Sequence, residues 1–181
     1  MMAVSMWMTP LVVLPEKVRI IATSVVVVLT AILPTATIIT LLKLGKVSDM
    51  SLSNRSERPI PYLVSVICYG AAVWYLISVR APQWLVAFYV GAAVTSIVAF
   101  LITLRWKISA HASAIGGFTA AILWLTLHNL ILLGPVYWAC GSILLCGLIG
   151  TSRLILNRHT PAQVFAGYAL GGAAVYITLC I

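Results

Sequence analysis

The feature that most constrains this chain is a series of long segments without a charged side chain. Ile20–Leu42, Ile60–Val79 and Trp84–Leu104 are three of these, and apolar residues predominate in each. Each has about the 20 residues that a helix needs to cross the hydrocarbon core of a bilayer. Because backbone polar groups in hydrocarbon must bond to one another, we expect these segments to be α-helical.

The second half of the chain extends the same pattern. Residues 108–152 contain no Asp, Glu, Lys or Arg, which is too long a stretch for one span. Gly134-Pro135 is a natural break inside it. The predicted spans in this half are Ser113–Leu133, Val136–Leu156 and Ala162–Ile181. The fold class is therefore predicted to be all-α, a polytopic membrane bundle of about six transmembrane helices. Only 8% of the residues are charged and the mean hydropathy is +1.12, which excludes an ordinary soluble domain.

The chain is predicted to divide into an N-terminal interfacial arm, residues 1–17, and a six-helix transmembrane domain, residues 18–181. The segment Met1–Pro15 is apolar but short, contains Pro10, and lacks the basic start and cleavage site of a signal peptide. The four cysteines lie in apolar runs and show neither metal-ligand spacing nor a disulfide framework. We therefore predict no metal and no cofactor.

The basic residues are concentrated on one predicted face of the membrane. Connections after the first, third and fifth spans emerge on the same side, and these connections are residues 43–59, 105–111 and 153–163. They hold eight of the eleven Lys and Arg residues. Because the cations lie in short connections rather than along a soluble face, we expect a membrane bilayer and an anionic lipid as partners, and no nucleic acid.

The orientation of this face stays open. The excess of Lys and Arg favours the cytoplasm under the positive-inside rule. Several of these residues are also candidate phosphate ligands, so their number reflects function as well as topology.

Two histidines accompany the basic residues. His111 and His159 fall in the same set of connections, whereas His128 lies near the opposite end of its helix. Phosphoryl transfer without a metal needs cations around the phosphate oxygens, a nucleophile in line with the scissile bond, and an acid for the departing oxygen. Arg58, Arg153, His159 and His111 fit these roles.

Three short motifs carry a resemblance to a known family. Ser152-Arg153 is followed after five residues by His159, and four residues later by Gln163. The second motif is Ile108-Ser109-Ala110-His111, and the first keeps Arg58-Pro59. These residues resemble the motifs SRxxxxxHxxxD, PSGH and KxxxxxxRP of the type 2 phosphatidic acid phosphatase superfamily. In this chain Gln163 replaces the family Asp, Ser51 replaces the Lys, and the Pro and Gly of the second motif are absent.

The resemblance implies a metal-independent lipid phosphatase of a bacterial inner membrane, acting on phosphatidic acid, phosphatidylglycerophosphate, a polyprenyl diphosphate or a lipid A phosphate. His159 would attack phosphorus to form a phosphohistidine, and His111 would protonate the lipid alkoxide. Gln163 would accept the ring N–H of His159 but supply no negative charge. The phosphate would be held by Arg58, Arg153 and Ser109, with Lys107 or Arg55 in place of the missing Lys.

Other interpretations remain open at this point. The altered motif positions also fit a phosphatase-like protein that binds or moves a phospholipid without hydrolysing it. An aromatic prenyltransferase would need paired Asp-rich motifs, and Asp49 is the only Asp in the chain. Arg105, Lys107 and Arg158 also fit ordinary interfacial anchors. Gly167 and Gly171 form a GxxxG motif that allows close helix contact, either within the monomer or in a homodimer.

Overall fold

The computed structural model describes residues 1–49, 52, 54 and 56–181, and of residue 55 the backbone alone. Throughout this described part the protein is all-α, and six of its helices are long and apolar enough to cross a membrane. The helices are α1 (Met2–Met8), α2 (Glu16–Lys43), α3 (Pro59–Ser78), α4 (Gln83–Thr103), α5 (Ala110–Leu127), α6 (Pro135–Ile155) and α7 (Pro161–Cys180). The prediction of an all-α bundle with six spans is confirmed.

Prolines mark the beginnings of three of the six long helices. Pro59, Pro135 and Pro161 are the first residues of α3, α6 and α7. Proline suits this position because its missing N–H would have no intrahelical acceptor there. Helix α5 begins differently: the Ser109 hydroxyl accepts the backbone N–H of Ala112 at 3.3 Å. This serine cap fixes the first turn of α5.

The fourth span lies earlier in the sequence than predicted. The helix runs over Ala110–Leu127, whereas the prediction was Ser113–Leu133. It ends where Asn129 adopts a positive φ of 54°. The residues that follow are tied to the N-terminal arm, because the Leu132 N–H donates to the Met8 carbonyl at 2.8 Å. As a result His111 lies in the first turn of α5, at the end of the bundle that carries the polar connections.

The N-terminal arm packs against the opposite end of the bundle. Helix α1 buries Met2 and Met6 among side chains of α2, α3 and α4. Two of these side chains, Leu76 and Leu85, flank the tight turn between α3 and α4. The arm therefore lies far from the basic connections and takes no part in the site that they form.

Glycines bring α5 and α7 into close contact. A Cβ atom at Gly167 would lie 2.8 Å from the Ser109 carbonyl oxygen, and one at Gly171 would overlap the Ser113 carbonyl oxygen. The GxxxG motif therefore makes a contact within the chain, one of the two alternatives that the sequence left open. The contact places the first turns of both helices side by side, and the Ser109 N–H donates to the Gln163 backbone carbonyl at 3.3 Å.

Candidate active site

A cavity of about 170 Å³ lies at the end of the bundle where the basic connections meet. We call it the cationic cavity. The residues that line it are Ile38, Leu52, Arg58, Pro61, Tyr62, Ser65, Lys107, Ala110, His111, Arg153, Arg158 and His159. The structure thus brings together five residues that the sequence predicted for the site: Arg58, Lys107, His111, Arg153 and His159. They come from the three polar connections, from the start of α5 and from the last turn of α6.

Arg58 joins the first polar connection to the second. Its guanidinium is buried, with Nε–H donating to the Leu52 carbonyl at 2.8 Å and Nη1–H donating to the Ile108 carbonyl at 2.8 Å. Burial lowers the pKa of Arg58, but a guanidinium still remains protonated at neutral pH. Both acceptors are neutral carbonyls, so the positive charge is left to attract an anion.

Gln163 fixes the tautomer of His159. The backbone N–H of Thr160 donates to Gln163 Oε1 at 3.3 Å, and His159 Nδ1 lies 3.1 Å from the same oxygen. A backbone N–H can only donate, so the carboxamide must present its oxygen here. His159 Nδ1 therefore carries the hydrogen, and Nε2 keeps its lone pair.

The side chain of Gln163 is held by the start of α7. Thr160 and Gln163 form a capping box, in which the Thr160 side chain accepts the Gln163 N–H at 3.4 Å and the Gln163 side chain reaches back to the Thr160 N–H. This pattern of Thr followed three residues later by Gln is a common helix start. The sequence contained this signal, and the capping box explains how the Gln163 amide is oriented.

The surroundings of His159 keep its imidazole neutral. Burial lowers the pKa of His159 to about 4, the hydrogen bond to Gln163 opposes this shift, and the charges of Arg58 and Lys107 add to it. At neutral pH the ring is therefore uncharged and carries a hydrogen on Nδ1 alone. A neutral imidazole with a free Nε2 lone pair is the nucleophilic form.

His111 also lines the cationic cavity. It is the second residue of α5, and its side chain is exposed. The charge of His111 contributes to the lowered pKa of His159, so the two rings are close enough to influence each other. An imidazole in such a position can deliver a proton and take one back. His111 and His159 thus occupy positions suited to an acid and a nucleophile.

Two other predicted ligands have different outcomes. Ser109 is fully buried and caps α5, and it is not among the residues that line the cationic cavity. A serine before a helix fits a cap as well as a ligand, and the sequence alone did not separate the two. Ser51 and the side chain of Arg55 lie outside the described residues.

Lys107 lies in the cationic cavity, at the boundary with a second depression. Burial lowers the pKa of Lys107, and the charges of Arg58 and Arg158 lower it further. We call the second depression the adjoining groove; its volume is about 510 Å³, and its lining residues are Lys107, Leu154, Asn157, Arg158, His159, Thr160, Pro161 and Gln163. Lys107 thus contributes a cation to both depressions.

Tyr62 and Arg158 are among the lining residues that sequence reasoning missed. Tyr62 lies one helical turn after Arg58, on the same face of α3, and this spacing was a usable signal. Arg158 directly precedes His159 and was interpreted only as an interfacial anchor. In the structure Arg158 lines both the cationic cavity and the adjoining groove.

The chain was also compared with known protein families, curated proteins and solved structures. No significant match was found in any of these three comparisons. Function therefore has to be inferred from the chemistry of the cavity.

The charge at this end of the bundle is strongly positive. The chain has three acidic residues, and one of them, Glu16, begins α2 at the opposite end. Asp49 pairs with Arg158 at 3.2 Å. Glu57 accepts hydrogen bonds from Ser48 and Asn54 at 2.8–3.1 Å, and these bonds lower its pKa. The cations that line the cavity therefore outnumber the acidic residues at this end of the bundle, which favours an anion as the ligand.

Proposed function

We propose that the protein is a membrane phosphatase that hydrolyses a lipid phosphate without a metal ion, through a phosphohistidine at His159. The observation that carries this proposal is the Gln163–His159 hydrogen bond beside a cluster of cations. It leaves Nε2 of a neutral imidazole free in a positively charged cavity. That combination suits attack on a phosphate ester, because the cations neutralise the equatorial oxygens while the ring supplies the electron pair.

The reaction has two steps. His159 Nε2 attacks phosphorus, the bond from phosphorus to the lipid oxygen breaks, and His111 gives its proton to that oxygen. The lipid alcohol leaves, and the Nδ1–H of the phosphoimidazolium keeps its hydrogen bond to Gln163 Oε1. In the second step neutral His111 accepts a proton from a water molecule that attacks phosphorus, and the bond to Nε2 breaks. Inorganic phosphate leaves and both histidines return to their first states.

Arg58 and Arg153 hold the transferred phosphoryl group in this scheme, with Lys107 as a further cation. The bilayer supplies the substrate, since the cavity lies at the end of the apolar helices and is partly lined by Ile38 and Leu52. Membership of the type 2 phosphatidic acid phosphatase superfamily and a place in a bacterial inner membrane belong to the same proposal. Both rest on the three motifs of the sequence.

The amide at position 163 should weaken catalysis less than an Asp-to-amide change does in a serine protease triad. In the serine protease triad, changing the Asp to an amide costs on the order of 10⁴ in kcat, chiefly because the histidine takes the wrong tautomer. Here the Thr160 N–H holds the amide oxygen toward His159. The tautomer is therefore correct, and only the stabilising negative charge is missing.

The test is phosphate release by the purified protein in detergent, in the presence of a chelator. The substrates are phosphatidic acid, phosphatidylglycerophosphate, a polyprenyl diphosphate and a lipid A phosphate. We expect His159→Ala to abolish release and the matched variant His128→Ala to retain it. His128 lies at the other end of α5, stacked on Trp124 at 3.9 Å between ring centroids. If the His159→Ala protein releases phosphate as fast as the unsubstituted protein, His159 is not the nucleophile.

A second candidate function is favoured by the neutral Gln163. A protein that binds or moves a phospholipid needs the cationic cavity but does not need to stabilise a phosphoimidazolium. Saturable lipid binding without turnover of any substrate in the panel would support this alternative and reject the phosphatase.

A further inference from the structure

Arg158 occupies the boundary between the two depressions beside His159. Three residues line both of them: Lys107, Arg158 and His159. A ligand that reaches past the cationic cavity therefore meets the cations of Lys107 and Arg158 next. The cationic cavity alone measures about 170 Å³, and the adjoining groove adds about 510 Å³.

Arg158 is paired with a carboxylate that an anion can displace. Its Nη1 lies 3.2 Å from Asp49 Oδ2, and the two side chains are 43% and 34% exposed. Exposed ion pairs of this kind contribute little net stability, because both partners are well solvated when they separate. A ligand phosphate carries more charge than one carboxylate and forms the same charge-assisted, often bidentate bonds with a guanidinium.

The charge of the site exceeds that of one phosphate group. Arg58 and Arg153 serve the phosphoryl group that His159 would attack. Lys107 and Arg158 remain, and Asp49 offsets one of them. A phosphate monoester carries nearly two negative charges at neutral pH, and a diphosphate carries about one more. A diphosphate therefore matches the cations of the site better than a monophosphate.

We propose that Arg158 is a further substrate-binding residue, which exchanges Asp49 for the second phosphate group of a lipid diphosphate. For the reaction itself this inference rests on the proposed function. His159 takes the terminal phosphoryl group, the bond from its phosphorus to the bridging oxygen breaks, and the electron pair stays on that oxygen. The product is a lipid monophosphate, whose new charge Arg158 stabilises. This leaving group needs no proton, unlike a lipid alkoxide.

The experiment compares two probes that differ by one phosphate group, farnesyl diphosphate and farnesyl monophosphate. Their dissociation constants are measured with the full chain in detergent, in a His159→Ala background that prevents turnover. We expect Arg158→Gln to weaken diphosphate binding about tenfold or more, as for the loss of a charge-assisted bond, and to change monophosphate binding little. The matched variant Arg105→Gln removes a cation from the same face, outside both depressions, and should change neither.

Equal weakening for both probes, or none for either, would overturn the proposal. Asp49→Asn provides a second measurement, because it removes the carboxylate that competes for Arg158. Tighter diphosphate binding by this variant supports the exchange, and unchanged or weaker binding contradicts it. Phosphate release by the unsubstituted protein is measured separately. If the protein binds diphosphate through Arg158 but releases no phosphate, the proposed phosphatase activity is rejected and Arg158 is still a ligand-binding residue.

Discussion

Gln163 Oε1 lies 3.1 Å from His159 Nδ1, and the same oxygen accepts the Thr160 N–H at 3.3 Å. One carboxamide oxygen thus caps a helix and orients the proposed nucleophile. This double role explains how an amide can replace a carboxylate without losing the tautomer.

Gln163→Glu should increase activity. Glutamate keeps the length of the side chain and also completes a capping box, so the helix start is preserved. A carboxylate bonds the phosphoimidazolium more strongly than an amide does, and the difference is worth about tenfold in kcat. The measurement is steady-state phosphate release on the best lipid substrate. A fall in kcat with an unchanged melting temperature would contradict the expectation that a carboxylate at position 163 stabilises the phosphoimidazolium of His159.

The pH dependence of kcat/KM should show an unusually low acid limb. The pKa of His159 is lowered to about 4 from about 6.5, so the nucleophile is lost only as pH falls through about 4. Between these values an ordinary histidine would already be protonated, but here Nε2 stays free. Gln163→Glu should move this limb upward, because a carboxylate favours the protonated ring. Because a phosphate monoester itself titrates near pH 6, the His159 ring is also titrated by NMR in the protein without substrate. A midpoint near 6.5 for that ring would contradict the assignment.

Arg58→Ala should damage both stability and activity. The change removes a phosphate ligand and leaves the carbonyls of Leu52 and Ile108 without their guanidinium partner. Losing these bonds should cost about 2 kcal/mol or more of the free energy of unfolding. Thermal unfolding in detergent measures this loss, and Arg105→Ala is the matched control. A melting temperature equal to that of the control would show that Arg58 does not join the two connections.

Gly171→Ala should disturb the site from within the bundle. A Cβ at Gly171 overlaps the Ser113 carbonyl oxygen, whereas one at Gly172 would lie 3.8 Å from the Gly116 carbonyl oxygen. Forcing α5 away from α7 should cost about 1–3 kcal/mol and separate His111 from His159. The melting temperature and activity of Gly171→Ala should both fall, while Gly172→Ala should behave as the unsubstituted protein. Equal behaviour of the two variants would argue against this helix contact.

The helices were predictable because the bilayer fixes their length and prolines mark the beginnings of three of them. The structure places the start of α6 at Pro135, one residue before the predicted start. Helix α5 was misplaced because the stop signal of Asn129, which adopts a left-handed backbone just past the helix, was not used. The Leu132–Met8 hydrogen bond, which holds the residues that follow, is a long-range contact that the sequence does not reveal. The serine cap at the start of α5 was visible in the sequence but was interpreted as part of a ligand motif.

That the residues of the site lie together could be predicted from topology alone, since alternating spans bring every second connection to one face. Arg58, His111 and His159 meet for this reason. The role of Arg158 did not follow, because an arginine at a helix end fits an interfacial anchor equally well. Its place between two depressions depends on the packing of α7 against the second polar connection. Ser109 was expected to bind the phosphate, because a motif match does not reveal which partner a hydroxyl bonds; here the partner is the Ala112 N–H.

The most direct test of the account is to trap the covalent intermediate. The protein is mixed with a lipid phosphate labelled at phosphorus, quenched in alkali during turnover, and digested for mass spectrometry. We predict phosphate on His159 that is stable to alkali and labile to acid, and none in the His159→Ala protein. Turnover without a phosphorylated protein, or phosphate on another residue, would contradict the central claim.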